Sequence, residues 1–331
     1  MAKAGKTFMF KKHFVGLPKE DDFDLVDTTL RELEDGEFLF ESQFLSVDPY
    51  MRLFTSQLPT GIPMIGSGVG KVTESKNENY PVNSIVVGPC GWTTHFIVTK
   101  ELVKSKEFLV IPSDMQMSHS LGTLGMPGMT AYFGLLDICN PKEGETVFVN
   151  AAAGAVGNVV GQIAKIKGCR VVGCAGSDEK LKYLKEIGFD AVFNYKNADF
   201  EKTFSELCPK GIDCFFENVG GAMFDAAMNH MNKYGRIAVI GGISGYNSVH
   251  EPPKGPYIHL PTIMKELKIQ GFMAGSYTDR NPEGFKQLNS WINEGKLKVR
   301  EKVIEGFENM PKALISLFHG EHIGKVVVSV K

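Results

Sequence analysis

The run Thr146-Val147-Phe148-Val149-Asn150 passes directly into Ala151-Ala152-Ala153-Gly154-Ala155-Val156-Gly157. A helical pattern over residues 155–167 comes next, with apolar Val156, Val159, Val160, Ile163 and Ala164. Strand, small-residue turn and helix in this order form the entry to a dinucleotide-binding fold. Ala152, Gly154 and Gly157 occupy the three places of an A-x-G-x-x-G variant of its fingerprint. A glycine at 154 lets backbone approach a pyrophosphate, and one at 157 lets the helix pack close to the sheet. The helix start offers free N–H groups and a positive dipole end to phosphates. Small residues also serve plain packing, so the motif takes its meaning from the segments C-terminal to it.

Those segments carry a repeated βα rhythm. Arg170–Ala175 reads as a second strand, and residues 178–187 as a helix capped by Ser177 with acids at 178 and 179. Ala191–Asn194, Asp213–Glu217, Arg236–Ile240 and Lys268–Phe272 continue the strands, and residues 283–295 form a last helix ending at Gly295. Apolar strands alternating with helices mean a parallel sheet covered on both faces. The expected fold is therefore α/β, with a doubly wound parallel-sheet Rossmann domain over residues 123–297.

The cofactor question turns on the end of the second strand. An NAD site puts an acid there to bind both ribose hydroxyls. Here the strand ends in Gly176-Ser177, and Asp178 and Glu179 more naturally serve the helix terminus. Lys180 stands where it could meet a 2′-phosphate, and Tyr195 after the third strand could add a hydroxyl. NADPH is favoured over NADH on these grounds; a Lys180 that is simply solvated is the other reading.

Residues 1–122 differ in texture. Short β-like runs (Phe38-Leu39-Phe40, Gly68-Val69-Gly70-Lys71-Val72, Ser84-Ile85-Val86-Val87, Phe108-Leu109-Val110-Ile111) are separated by turn residues, which suggests a β-rich barrel-like domain. The tail from Lys298 to Lys331 returns to strand texture and is expected to fold back onto this domain. With 36 basic and 38 acidic residues the net charge is −2, which offers no field for nucleic acid or an anionic membrane. The six cysteines are scattered singly, without metal-ligand spacing, as in a reducing compartment. No signal region or membrane span is evident, so a cytoplasmic address is expected.

A β-rich domain leading into a dinucleotide fold resembles the medium-chain dehydrogenase/reductase superfamily. The metal-binding stretches of its zinc alcohol dehydrogenases read here as Ser46-Val47-Asp48-Pro49-Tyr50 and Gly66-Ser67-Gly68, and the four-Cys lobe is missing. No metal site is expected, which argues against the zinc route to alcohols. Val47-Asp48-Pro49-Tyr50-Met51-Arg52, Gly91-Trp92-Thr93-Thr94-His95, residues 125–134, the Asn150–Gly157 loop, Gly176–Lys180, Glu217-Asn218-Val219-Gly220-Gly221 and residues 305–311 together resemble the prostaglandin-reductase family of the zinc-free branch. The likeness runs from Lys11 to Lys325.

That resemblance implies a GroES-like catalytic domain (residues 1–122 and 298–331). It also implies an NADPH-dependent reductase of double bonds conjugated to a ketone or aldehyde. Substrates would be lipid enones and alkenals, such as 15-oxo-prostaglandins; oxidation of the leukotriene B4 12-hydroxyl with NADP is also implied, as is a homodimer. Gly154, Ala155, Val156 and Gly157 would hold the pyrophosphate, and Lys180 and Tyr195 the adenosine phosphate end. Asn218 would follow the fourth strand at the cleft. Ile240, Gly241, Gly242, Ile243, Ser244, Gly245 and Tyr246 would flank the nicotinamide half, with Phe272, Met273 and Ala274 continuing that wall. Thr130 would lie near the nicotinamide amide, and His322, where the family has Asn, would also touch cofactor. Tyr50 is the substrate-cleft tyrosine: its hydroxyl binds the enone oxygen, its ring packs the acyl chain, or it merely packs in a Pro-turn. His95 is read as structural. Met264 stands where the family carries a tyrosine that assists the enolate, and Tyr257 is the candidate substitute. A quinone reductase, a silent NADPH-binding protein and a Rossmann methyltransferase are the competing readings.

Overall fold

The computed structural model describes residues 3–248, 255 and 257–331. It divides into two compact units: the chain up to Gly122 with Glu301–His322 and Val326–Lys331, and Thr123–Arg300 with Ile323–Lys325.

The first unit is β-rich. A seven-stranded sheet runs in the order Glu301–Glu305, Lys325–Ser329, Phe38–Ser46, Gly68–Ser75, Ile85–Gly88, Leu109–Val110, with His95–Val98 pairing onto Phe38–Ser46 off this path. A second sheet joins Phe23–Leu30, Lys3–Phe10 and Ile62–Pro63. Strand Gly68–Ser75 needs its glycines: a Cβ on Gly70 would lie 1.9 Å from the Glu41 carbonyl oxygen. The core gathers Phe10, Phe38, Phe40, Trp92 and Phe108, each under 2% exposed. Burying such aromatics from water stabilises by about 2–3 kcal/mol each.

The C-terminal tail departs from its strand texture. It folds as strand Glu301–Glu305, helix Met310–His319 and strand Lys325–Ser329. Met310, Ala313 and Leu314 recur at helical spacing and are buried, Pro311 suits the first turn, and Gly320 at φ 64° ends the helix. Valine-rich flanks obscured this short helix in the sequence.

The second unit holds six parallel strands in the order Ala191–Asn194, Arg170–Ala175, Thr146–Val149, Ile212–Glu217, Met231–Val239, Lys268–Gly271. In chain order this is third, second, first, fourth, fifth, sixth: a doubly wound sheet, as the rhythm of the sequence implied. Strand Thr146–Val149 is wholly buried between its neighbours. The ring of Phe148 lies 4.9 Å from those of Phe204 and Phe215. The helix after the first strand starts at Gly157 and runs to Ile166, so residues 151–156 form a turn. The strand order reverses beside the first strand, which opens a crevice at the C-terminal ends of the first and fourth strands. Among the described residues no helix is long and apolar enough to cross a membrane.

Candidate active site

The turn after the first strand is tightly wound. Ala151 takes a left-handed φ of 46°, rare for a residue with a side chain and a feature that clusters at functional sites. The Gly154 amide donates to the Ala151 carbonyl at 3.0 Å. A Cβ on Gly157 would stand 2.6 Å from the Ala151 oxygen and 2.8 Å from Ala152 Cα, so only glycine lets the helix begin here. A Cβ on Gly154 meets only that oxygen, at 3.2 Å, so its outer side is open for a ligand to approach backbone. Asn158 Nδ2 donates to the Gly154 carbonyl at 2.6 Å and ties the turn to the helix. Ala155 and Val156 are half-buried on the same turn. From below, the Gly324 amide donates to Ala153 O at 2.8 Å, and Gly324 bridges Gly154 in parallel.

The crevice beside this turn is built from polar side chains. Asn150 and Glu217, 0% and 1% exposed, close the first and fourth strands. Asn150 Nδ2 donates to Glu217 Oε1 at 2.8 Å. The Asn218 amide donates to Asn150 Oδ1 at 2.7 Å, and Asn218 Nδ2 to the Asn150 carbonyl at 3.0 Å. The same Glu217 oxygen accepts from Gly220 N at 2.6 Å and from Val219 N. Burial pushes the Glu217 carboxyl pKa up.

The loop after the fifth strand joins this cluster. Ile240 N and Gly241 N donate to the Glu217 carbonyl at 2.8 and 3.2 Å, and Ile243 N to that of Asn218 at 3.2 Å. Ser244 Oγ donates to Val219 O at 2.6 Å. Tyr246 Oη accepts from Gly242 N at 3.3 Å, while a Cβ on Gly242 would meet nothing within 4 Å. Gly245 N returns to Gly242 O at 2.8 Å. Phe272 is buried and stacks on Tyr277 at 4.9 Å; Met273 is exposed and Ala274 half-buried beside it.

At the end of the second strand, Ser177 Oγ caps its helix by accepting from Lys180 N. Lys180 is half-buried, and its pKa is lowered by burial first and then by the charge of Lys196. A Cβ on Gly176 would meet Tyr195 Oη at 2.9 Å and Lys196 Cε at 3.1 Å, so both side chains close over the strand end. Two lysines and a hydroxyl at one strand end suit an anion of high charge, such as a 2′-phosphate. Sequence reading passed over Lys196; its signal was its position beside Tyr195. Asn150 and Glu217 were equally missed as site residues.

Other expected residues are placed differently. The buried Thr130 hydroxyl donates to the Met126 carbonyl one turn earlier at 2.8 Å, so its proton is spent within the helix. His322 Nε2 lies 2.9 Å from Ser316 Oγ. Tyr50 opens helix Tyr50–Phe54, with its ring 5.3 Å from that of Phe54. Burial, and then the charge of Asp48, drive its phenol pKa up, so the hydroxyl keeps its proton and stays a donor. Tyr257 is 73% exposed and stacks on His259 at 4.1 Å, and Met264 is 75% exposed. His95 Nδ1 lies 3.0 Å from Thr94 Oγ1. All six cysteines are buried and free, and among the described residues no three His, Cys, Asp or Glu side chains cluster as metal ligands.

Family models match both units: an N-terminal domain of oxidoreductase over residues 6–105 and a zinc-binding dehydrogenase over 155–294. Prostaglandin reductase 1 of Bos taurus is 49% identical over 98% of this chain and 98% of its own. The chain belongs to the prostaglandin-reductase family of medium-chain dehydrogenase/reductases. A second relative in that family pattern, the NADP(+)-dependent 2-alkenal reductase of Nicotiana tabacum, is 40% identical over 99% of this chain and 98% of its own. The crystal structure of CurA from Vibrio vulnificus in complex with NADPH superposes with a TM-score of 0.92 at 39% identity, covering 98% of this chain and 99% of that one. Membership in the family accounts for the doubly wound unit and the β-rich unit preceding it.

Proposed function

We propose that this chain uses NADPH to reduce the carbon–carbon double bond of enones and alkenals. The observation that carries the reading is its near full-length likeness to a prostaglandin reductase and a 2-alkenal reductase. The open glycine turn and the cation pair at Lys180 and Lys196 fit the cofactor. Gly154, Ala155, Val156 and Gly157 hold the pyrophosphate, and Lys180 with Tyr195 the 2′-phosphate. Asn218, the 240–246 loop and the 272–274 segment line the nicotinamide half, with Thr130 and His322 as further contacts. Bound NADPH would supply a hydride for the β-carbon, and the enolate so formed would take a proton at the α-carbon. Tyr50 donates its O–H to the substrate carbonyl oxygen, where negative charge develops during reduction; a fixed donor aimed at such charge is an efficient catalyst. Its raised pKa keeps that proton in place. Tyr257 is the second hydroxyl assigned to the reaction.

The substrates would be 15-oxo-prostaglandins and 4-hydroxynonenal-like alkenals, with oxidation of the leukotriene B4 12-hydroxyl by NADP in the reverse sense. A cytoplasmic homodimer is part of the same reading, and light scattering of the purified chain at twice the monomer mass would support it. Mixing the chain with NADPH and following loss of reduced-nicotinamide absorbance tests the activity. Consumption with a 15-oxo-prostaglandin and an alkenal, but not with a quinone, is expected. Quinone alone would favour a quinone reductase. Bound NADPH that is never consumed would make the chain a silent binder. Tyr257→Phe should lower kcat more than it alters NADPH affinity; unchanged kcat would remove Tyr257 from the mechanism.

A further inference from the structure

Glu217 has no part in the chemistry above, yet three of the loops assigned to the cofactor meet at it. Its side chain is 1% exposed at the end of the fourth strand. One oxygen, Oε1, accepts from Asn150 Nδ2 at 2.8 Å, Gly220 N at 2.6 Å and Val219 N. Its backbone carbonyl accepts from Ile240 N and Gly241 N. Asn150 in turn spends its Oδ1 and its carbonyl on Asn218. The loops after the first, fourth and fifth strands are therefore bonded to one residue rather than to solvent.

The other oxygen, Oε2, is buried and has no hydrogen-bond partner among the described residues. A bare carboxylate so placed is costly, and burial shifts the group toward its neutral form. Among the described residues a single acceptor, Oε1, does all the bonding of the side chain, and a glutamine can present an oxygen in its place.

We propose that Glu217 is a positioning residue for NADPH: by gathering Asn150 and the amides of Val219 and Gly220 on one buried oxygen, its side chain sets the loops after the first and fourth strands in the register that receives the dinucleotide, while its backbone carbonyl holds the loop after the fifth. This rests on the assignment of those loops to the cofactor made above. Removing the acceptor leaves buried donors unpaired and frees the loops after the first and fourth strands to relax apart.

The test is titration of NADPH into the full chain and its variants, followed by nicotinamide fluorescence, with circular dichroism to check folding. Glu217→Ala should weaken NADPH affinity by about tenfold or more, with kcat at saturating NADPH within about threefold of wild type. Glu217→Gln should stay within about threefold of wild type in affinity, because it keeps the acceptor. Asn150→Ala cuts the same link from the other side, and with it the bond from the Asn218 amide, so the double variant should lose less than the product of the two single losses. The preference for NADPH over NADH should not move in any of them, since Lys180 is untouched. Wild-type affinity in folded Glu217→Ala, a Glu217→Gln as weak as Glu217→Ala, or an additive double variant would each overturn the proposal. Should Glu217→Ala not fold, Asn150→Ala and Glu217→Gln decide: wild-type affinity in the former overturns the proposal. Gly154→Ala separates the layers. If it leaves NADPH affinity unchanged, the loop assignment fails and the proposal with it; if it weakens binding while Glu217→Ala does not, the proposal alone fails.

Discussion

The two units handle their polar groups in opposite ways. In the parallel unit every strand points in one direction, so the segments leaving the first, fourth and fifth strands emerge at one edge. There they bond to one another through Asn150, Glu217 and Asn218. In the antiparallel unit the connections leave at both ends, and its polar anchors are dispersed along the chain. Arg52, 1% exposed, holds the carbonyls of Phe14 and Gly16, and Arg31 grips Glu37 with two bonds of 2.6 and 2.7 Å. A parallel sheet concentrates a binding surface; an antiparallel one displays single side chains, of which Tyr50 is the proposed example.

If that contrast holds, variants at the strand ends of the parallel unit should change cofactor affinity and variants of Tyr50 should change turnover. Gly157→Val is the severest. Its side chain collides with backbone at Ala151 and Ala152, and NADPH affinity should fall by about a hundredfold or more, read by fluorescence titration. Binding that survives would break the link between turn geometry and cofactor. Tyr50→Phe should lower kcat by about thirtyfold while leaving NADPH affinity alone; a change in affinity instead would blur the two units' roles. Lys180→Ala should cost about tenfold in NADPH affinity, ~1.4 kcal/mol, with NADH unaffected. Equal losses for both cofactors would sink its role at the 2′-phosphate.

The smallest effect belongs to the antiparallel unit. The Arg31 guanidinium bonded to Glu37 holds that carboxyl at about 2, against an ordinary 4.5. A depressed pKa means the stabilisation is complete above pH 4.5 and is lost as pH falls toward 2. Glu37→Gln should thus be less stable than wild type at pH 7, with the gap narrowing below pH 4.5, as measured by urea midpoints. A gap that stays constant down to pH 3, within that window, would show that the pair contributes nothing through its charge.

Legibility followed the same divide. The parallel strands are continuous apolar runs, so Thr146–Val149, Arg170–Ala175 and Ala191–Asn194 could be read directly, as could the turn at Gly154 and Gly157. The antiparallel unit was harder. Helix Met310–His319 lay hidden in strand-like texture, and strands Lys3–Phe10 and Phe23–Leu30, which pair along their whole length, carry no strong apolar alternation. Lys196 escaped notice because nothing local distinguishes it from a solvated lysine.

By itself the sequence determined the run of strands, turn and helices in the parallel unit, the Gly157 without which the turn after the first strand cannot close, and the absence of an acid at the second strand's end. These depend on periodicity and on the space around single residues, both of which are local. Only the tertiary structure decided that Asn150 and Glu217, 67 residues apart, share a hydrogen bond, and that Lys196 turns back beside Lys180. Lys196 lies by Lys180 because the third strand runs beside the second, and Asn150 meets Glu217 because the chain crosses over after its third strand and lays the fourth beside the first. That step comes from the hand and packing of the whole sheet, not from any one stretch of residues.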